Sequence, residues 1–342
     1  MTEKRVLITG AAGYVGHLLG ESLSKHMSVV GVDVAHREAC FPIFNMDICD
    51  EALVELIRAE RVTHVVHLAS VMSAGRDRAR EYQIDVEGTR NVLNACVRAG
   101  VTHFTLTSSG AAYGYHADNP AWLQENDPLR GNPEFGYSDH KRLVEEMLAE
   151  YRQNHPELEQ LIFRPCSIIG ATTNSKISAL FSGHSILDPG AHNSPFVFIW
   201  DQDVVGAIEY GVTRDAAGIY NLAGDGALTP AEIARLLNKP LRRPPVWFLK
   251  ALLAISFGLR LGDTHPAQVR FLQYRPVLLN TRLKSELGYQ PQKTSAQAFA
   301  FFAEHALGQK VDLSDAEITY CSDLSSNNEG AQRAATNEGA VV

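Results

Sequence analysis

Apolar positions along this 342-residue chain follow two different periods. Short, nearly continuous runs rich in β-branched residues read as strands: KRVLIT (4–9), SVVGVDV (28–34), THVVHLAS (63–70), THFTLTSS (102–109), QLIFRP (160–165) and GIYNLAG (218–224). Between them lie segments with helical spacing, over about 14–27, 50–60, 79–99 and 138–154. Asp50 suits the N-cap of the second. Strands apolar on both faces, alternating with helices, predict an α/β fold built on a doubly wound parallel sheet.

After about residue 170 the alternation loosens. Residues 171–200 are rich in Ser, Asn, Gly and Pro. VFIWDQDVVGAIEYG (197–211) reads as a return to the sheet layer followed by a helix. LTPAEIARLLN (228–238) reads as a helix capped by Thr229, with Pro230 in its first turn. The pattern predicts a dinucleotide-binding domain over 1–170, with 197–224 returning to it. A smaller, interleaved C-terminal substrate lobe takes 171–196 and 225–307. From 311 to 342 the chain turns polar and reads as a disordered tail.

Composition narrows the function. With 45% hydrophobic and 20% charged residues a large core is available, and a net charge of -8 argues against a nucleic-acid partner. Five dispersed cysteines without C-x-x-C spacing, and no charged-then-apolar leader, point to a reduced, cytoplasmic protein. VWFLKALLAISFGLRL (246–261) is short for a membrane span and carries Lys250, so no transmembrane segment is expected. It reads as a buried or half-buried helix, with a membrane-surface or apolar-substrate helix as the alternative.

The first strand runs into LITGAAGYVGHLL. Gly10 permits a tight turn, Gly13 lets the backbone approach a pyrophosphate, and Gly16 allows close helix–strand packing. The helix start at Tyr14 and Val15 then faces the anion with unpaired N–H groups. Asp33 ends the second strand, placed to accept hydrogen bonds from both adenosine ribose hydroxyls. It would repel a 2′-phosphate, so NAD is expected over NADP, with Arg37 nearby to soften the preference.

Further motifs follow in order: MDICD (46–50), HLAS (67–70), TSSGAAYG (107–114), YSDHK (137–141), FRPCSIIG (163–170), YNLAG (220–224) and LGYQP (287–291). Over about 4–305 the chain resembles the extended short-chain dehydrogenase/reductases, also called the NAD-dependent epimerase/dehydratase family. The resemblance implies a Rossmann fold and an NAD-dependent oxidoreductase or epimerase acting on a small molecule. It implies that Asp47 and Ile48 hold the adenine, that Leu68 and Ala69 line the cofactor beyond the pyrophosphate, and that Pro165 and Cys166 lie near the nicotinamide. Ser109 would be the catalytic serine, Tyr137 the acid/base and Lys141 its partner. It also implies a homodimer through a four-helix bundle, for which 79–99 and 138–154 are the candidate helices.

The chemistry fits those residue types. Hydride transfer at a carbon bearing oxygen requires a proton to move as well, and a phenolate stabilised by a neighbouring ammonium can take it. Tyr-x-x-x-Lys alone is cheap: YQPQK (289–293) repeats it with Pro291 where a helix would be needed.

Departures from the family narrow the reaction. Gly110 and Ala111 follow Ser109 where dehydratases carry an Asp-Glu pair, so elimination of water is disfavoured. Phe196 and Val197 stand where nucleotide-sugar enzymes place a diphosphate-gripping Arg-Asp pair, and Trp200 where a histidine is usual. Phe196, Trp200 and the 246–261 helix are therefore expected to wall a partly apolar substrate pocket. That favours a dehydrogenase acting on a secondary alcohol or ketone, with a nucleotide-sugar epimerase and a non-catalytic dinucleotide sensor as alternatives. Asp85 replaces the usual Asn and cannot donate from an amide. His64 and His67, three apart on a strand, face opposite sides, so no metal is expected.

Overall fold

The strands β1 (Arg5–Thr9), β2 (Ser28–Asp33), β3 (Ile43–Asn45), β4 (His64–His67), β5 (His103–Thr107), β6 (Glu159–Pro165) and β7 (Gly218–Leu222) form one parallel sheet. Their order is β7-β6-β5-β4-β1-β2-β3. The computed structural model describes residues 4–71, 77–189, 194–261 and 265–321. Strand β3, only three residues long, carries too little pattern to be read from sequence.

The helices are α1 (Tyr14–Leu23), α2 (Leu53–Ala59), α3 (Arg78–Tyr82), α4 (Thr89–Ala99), α5 (Gly136–Asn154), α6 (Lys176–Ser182), α7 (Asp201–Thr213), α8 (Pro230–Leu236), α9 (Val246–Gly258), α10 (Val269–Gln273) and α11 (Ser295–Leu307). On one sheet face Ile57, Leu93, Val144 and Leu148 from α2, α4 and α5 pack on Val65, Phe104 and Ile162. On the other, Leu19 and Leu23 of α1 and Val204 and Ile208 of α7 pack on Val6, Ile8 and Phe163. Each such large apolar side chain removed from water stabilises the fold by roughly 1.5–3 kcal/mol.

The second lobe is built round stacked phenylalanines. Phe181, Phe196, Phe198, Phe299 and Phe302 form a cluster joined by Ile233 of α8. Thr229 caps α8 with Pro230 in its first turn, as its sequence predicts. Ser167–Ile169 and Phe198–Trp200 pair as a separate two-stranded ribbon that leads back into α7 and the sheet layer.

Four expectations change. Asp50 accepts from the Ala52 N–H in a turn ahead of α2 instead of capping the helix directly. The helix expected over 79–99 is interrupted by a π-helical turn, Gln83–Gly88, between α3 and α4. The tail does not begin at 311: Ala227 and Thr319 exchange both backbone hydrogen bonds, and Val311, Leu313 and Ile318 pack against the phenylalanine core. The rest of the expected tail, 322–342, lies outside the described residues. Finally, α9 buries no residue fully: of the expected buried or half-buried helix only the half-buried form holds, with Val246, Leu249, Leu253 and Phe257 half-buried. Among the described residues no helix is long and apolar enough to cross a membrane.

Candidate active site

The sheet order reverses between β1 and β4, which opens a crevice at their carboxyl ends. Gly10 sits there at φ +71°, and a Cβ on it would lie 2.7 Å from the Ala69 nitrogen. A Cβ on Gly16 would overlap the Gly10 carbonyl oxygen. Gly13 is the N-cap of α1 and, among the described residues, no side chain caps that end, so the helix start can face an anion. The Asp33 carboxylate accepts from the N–H groups of Ala12 and Ala35, which leaves further lone pairs for a diol. Arg37 reaches across to the Ala12 carbonyl at 3.1 Å. This glycine cradle, open helix end and strand-end acid fit a dinucleotide.

Deeper in the crevice a directed hydrogen-bond chain ties the strands together. The Leu68 and Ala69 N–H groups donate to Thr9 Oγ1, which lies 2.7 Å from His67 Nδ1. His67 Nε2 lies 2.9 Å from Thr89 Oγ1, and that hydroxyl donates to the Asp85 carbonyl. Thr89 spends its proton on Asp85, so His67 must carry its own on Nε2 and accept from Thr9 at Nδ1. Burial, with Lys141 nearby, pushes the imidazole down to about 3, so it is neutral. His64 points away to Asp215, 2.7 Å distant. Among the described residues no cluster of three or more His, Cys, Asp or Glu could hold a metal.

The structure brings Ser109, Tyr137 and Lys141 together. Ser109 follows β5 and caps a short 3₁₀ turn (Gly110–Tyr113) by accepting from the Ala111 N–H. The start of α5 is held against that turn by Ser138, whose hydroxyl donates to the Ala111 carbonyl at 2.7 Å. Tyr137 is thereby brought close to Ser109, whose hydroxyl lowers the phenol's pKa. One turn on, the buried Lys141 ammonium stands 5.7 Å from the tyrosine ring centroid and donates to the Thr107 carbonyl.

Lysine does not make the tyrosine acidic in the protein alone. Burial pushes the Tyr137 phenol up to about 12, with the Ser109 hydroxyl opposing and Asp85 adding to the rise. Burial also lowers the Lys141 pKa, against the pull of Asp85 and Glu145. The expected phenolate therefore needs a further positive charge beside it.

Asp85 supplies what its sequence position only hinted at. The π turn carries it inward, where it accepts from the Ser70 hydroxyl, the Val71 N–H and His140 Nδ1 at 2.9 Å. Burial pushes its carboxyl up, but His140, Lys141 and the two smaller donors more than offset this, and the net shift is downward. Sequence reading missed His140 although it sits inside YSDHK. An acid in place of an amide needs donors, and that histidine was one within reach.

A second buried pair braces the strand ends. Arg164 of β6 donates to both Glu145 oxygens, lies 4.9 Å from the Tyr113 ring centre and bonds its hydroxyl. Ser108 donates to the same Glu145 at 2.5 Å. Asp47 bonds the Cys49 N–H, and Ile48 is buried beneath Gly88. Pro165 ends β6, and burial pushes the Cys166 thiol up, so it is protonated. Tyr14 donates to Asp201 at the start of α7, which fastens the phosphate loop to the neighbouring helix on that sheet face.

The expected apolar wall does not form. Phe196 is 2% exposed and stacks in the phenylalanine core, while Trp200 packs against Phe301 under Lys293. Beside the loop lies a cation that sequence reading missed: Arg275 is buried, lies 3.8 Å over the Phe196 ring and, among the described residues, its guanidinium bonds only backbone carbonyls, including that of Ser194. Nothing in QYRPVLL marks it without the fold. The repeat at Tyr289 is structural: its hydroxyl and the N–H groups of Gln292 and Lys293 all bind Asp203.

The sequence profile of the NAD dependent epimerase/dehydratase family matches residues 6–223. The chain belongs to that family. The family is NAD-dependent, and the glycine cradle and Asp33 described above suit that cofactor. This family member is 25% identical over 312 residues to an uncharacterised protein of Mycobacterium tuberculosis, covering 86% of this chain and 82% of that one. It is 29% identical over 247 residues to N-acetyl-alpha-D-glucosaminyl-diphospho-ditrans,octacis-undecaprenol 4-epimerase of Escherichia coli O157:H7, covering 69% and 73%. In fold it is similar to the Thermus thermophilus UDP-glucose 4-epimerase in complex with NAD. The TM-score is 0.67 at 22% identity, over 89% of this chain and 99% of that one.

Proposed function

We propose that the chain catalyses NAD-dependent epimerisation at a secondary carbinol carbon of a glycosyl diphosphate, with Tyr137 as acid/base. The observation that carries this reading is the meeting of Ser109, Tyr137 and Lys141 at the carboxyl end of β5, beside the glycine cradle. Gly10, Gly13, Gly16 and the N–H groups of Tyr14 and Val15 would hold the pyrophosphate, and Asp33 the adenosine ribose. Asp47 and Ile48 would flank the adenine, Leu68 and Ala69 the middle of the cofactor, and Pro165 and Cys166 the nicotinamide.

Bound NAD supplies a hydride acceptor, and in its reduced form a donor, and its nicotinamide carries the positive charge Tyr137 lacks. Ser109 orients the substrate hydroxyl and passes its proton to Tyr137. Lys141 stabilises the phenolate that receives this proton and, through Thr107, keeps the helix and strand in register. Return of the proton from Tyr137 completes the turnover. The buried Arg275 guanidinium, hydrogen-bonded among the described residues to neutral carbonyls with Asp188 near enough to act on its charge, supports a diphosphate ligand in place of the missing Arg-Asp pair. The Escherichia coli relative, named as an epimerase of a diphospho-sugar, supports the same class.

Residues 171–196 and 225–307 would act as the substrate lobe. A homodimer through α3, α4 and α5 is a further proposal, tested by mass in solution. A net dehydrogenase of secondary alcohols is the second reading, favoured by Phe196 and Val197 at the family's anion-gripping positions. Incubation with NAD and a glycosyl diphosphate separates the two. Epimer formation without free NADH supports the first reading, and stoichiometric NADH supports the second. Tyr137→Phe should abolish turnover and keep NAD binding, and an active variant would sink both.

A further inference from the structure

Helix α9 is apolar except for Lys250 and Ser256, yet buries no side chain fully. At about 100° per residue, Trp247, Phe248, Ala251, Leu252, Ala254, Ile255, Gly258 and Leu259 span an arc of roughly 160° without one polar group. This is the exposed arc: Trp247 is 71% exposed and, just beyond the helix, Leu261 is 77% exposed. A helix this apolar ordinarily lies in a core. A contiguous apolar surface of this kind marks a site of association.

Charge identifies what it associates with. Between Lys239 and Leu261 the chain carries five cations, Lys239, Arg242, Arg243, Lys250 and Arg260, and no acid, although the whole chain has a net charge of -8. Lys239 is held by the Phe181 carbonyl and Arg243 by Asp188. Arg242, Lys250 and Arg260 are exposed and have no carboxylate partner among the described residues. Lys250 borders the apolar arc. A second copy docked face to face would bring two such basic sets together. An anionic bilayer complements both properties at once: acyl chains take the apolar arc and headgroups the cations. The helix has 13 residues, about 20 Å of length, too short to cross roughly 30 Å of hydrocarbon, so it must lie in the interface.

We propose that α9 and its basic flanks dock the protein on the surface of an anionic phospholipid membrane. The docking surface is continuous with the catalytic helix. Phe271 of the neighbouring α10 packs edge-on against Tyr115, which stacks on Phe135, the N-cap of α5. The proposal concerns a surface and holds whichever reaction the site performs.

Flotation of the full chain with vesicles tests it. Vesicles of phosphatidylcholine with a third phosphatidylglycerol should carry the protein, and phosphatidylcholine alone should carry at least about tenfold less. Trp247→Ser with Ile255→Ser should abolish flotation. Arg242→Gln with Lys250→Gln should weaken it about tenfold or more, and salt should do the same. All four side chains are exposed, so the melting temperatures should match that of the parent, which separates loss of docking from loss of fold. No flotation with anionic vesicles, or flotation indifferent to lipid charge, overturns the proposal. So does a dimer in solution that Trp247→Ser dissolves, because a second copy would then cover the face.

Discussion

His67 offers a quantitative test of the hydrogen-bond chain across the crevice. Its Nδ1 accepts from Thr9, whose oxygen already receives the Leu68 and Ala69 N–H groups, so a proton added at Nδ1 would meet another donor. Burial penalises the charged ring, the Lys141 ammonium adds to that, and these hold the folded pKa at about 3 against an ordinary 6.5. Between those values the unfolded chain binds the proton and the folded one does not. Stability is therefore complete above about pH 6.5 and falls as pH drops toward 3. From pH 7 to pH 5 the loss due to this one side chain is about 2 kcal/mol. His64 and His103 shift in the same direction, so the parent's total loss is larger. Urea unfolding of the parent and of His67→Gln at both pH values isolates the His67 share as a difference of slopes. The parent should lose about 2 kcal/mol more than the variant. Parallel pH dependences, or an imidazole resonance titrating near 6.5, would refute the assigned donor chain.

Other substitutions probe the remaining parts of the site. In Gly16→Ala the new methyl overlaps the Gly10 carbonyl oxygen, so calorimetric NAD titration should show binding lost and melting should show about 1–3 kcal/mol of destabilisation. Glu145→Gln strands the Arg164 guanidinium in the interior and should cost about 3–5 kcal/mol in urea unfolding. Glu145→Met with Arg164→Met should recover most of that loss, since a matched apolar pair leaves no charge unpaired. Asp85→Asn removes a negative charge that raises the Tyr137 pKa, so the ascending limb of the pH–rate profile should move to lower pH. Asp85 is itself depressed, so the stability it contributes is present above about pH 4 and is lost below it. The parent should therefore lose more stability than the variant on going from pH 5 to pH 3.

By itself the sequence determined the architecture and the chemistry-bearing residues close to it. Continuous apolar strands between helices imply a parallel sheet, and such a sheet places Gly10, Asp33, Ser109 and Tyr137 at strand ends whatever the packing detail. These signals are local, because turns, caps and periodicity act over a few residues. Pro291 likewise marked Tyr289-x-x-x-Lys293 as a decoy, and the fold made it an Asp203 clamp.

Tertiary structure decided the properties that depend on what surrounds a side chain. Tyr137 and Lys141 have the spacing for an acidic phenol, yet desolvation outweighs the lowering by Ser109 and raises the pKa. Phe196 looked like a pocket wall and became core, because four other phenylalanines close around it. Arg275, some 80 residues along the chain, supplies the cation that this loop lacks in sequence. The 246–261 helix has the composition of a core element, and only its place at the edge of the fold leaves that surface exposed. Burial and long-range charge are sums over neighbours distant in sequence, so they are fixed only when the chain closes on itself.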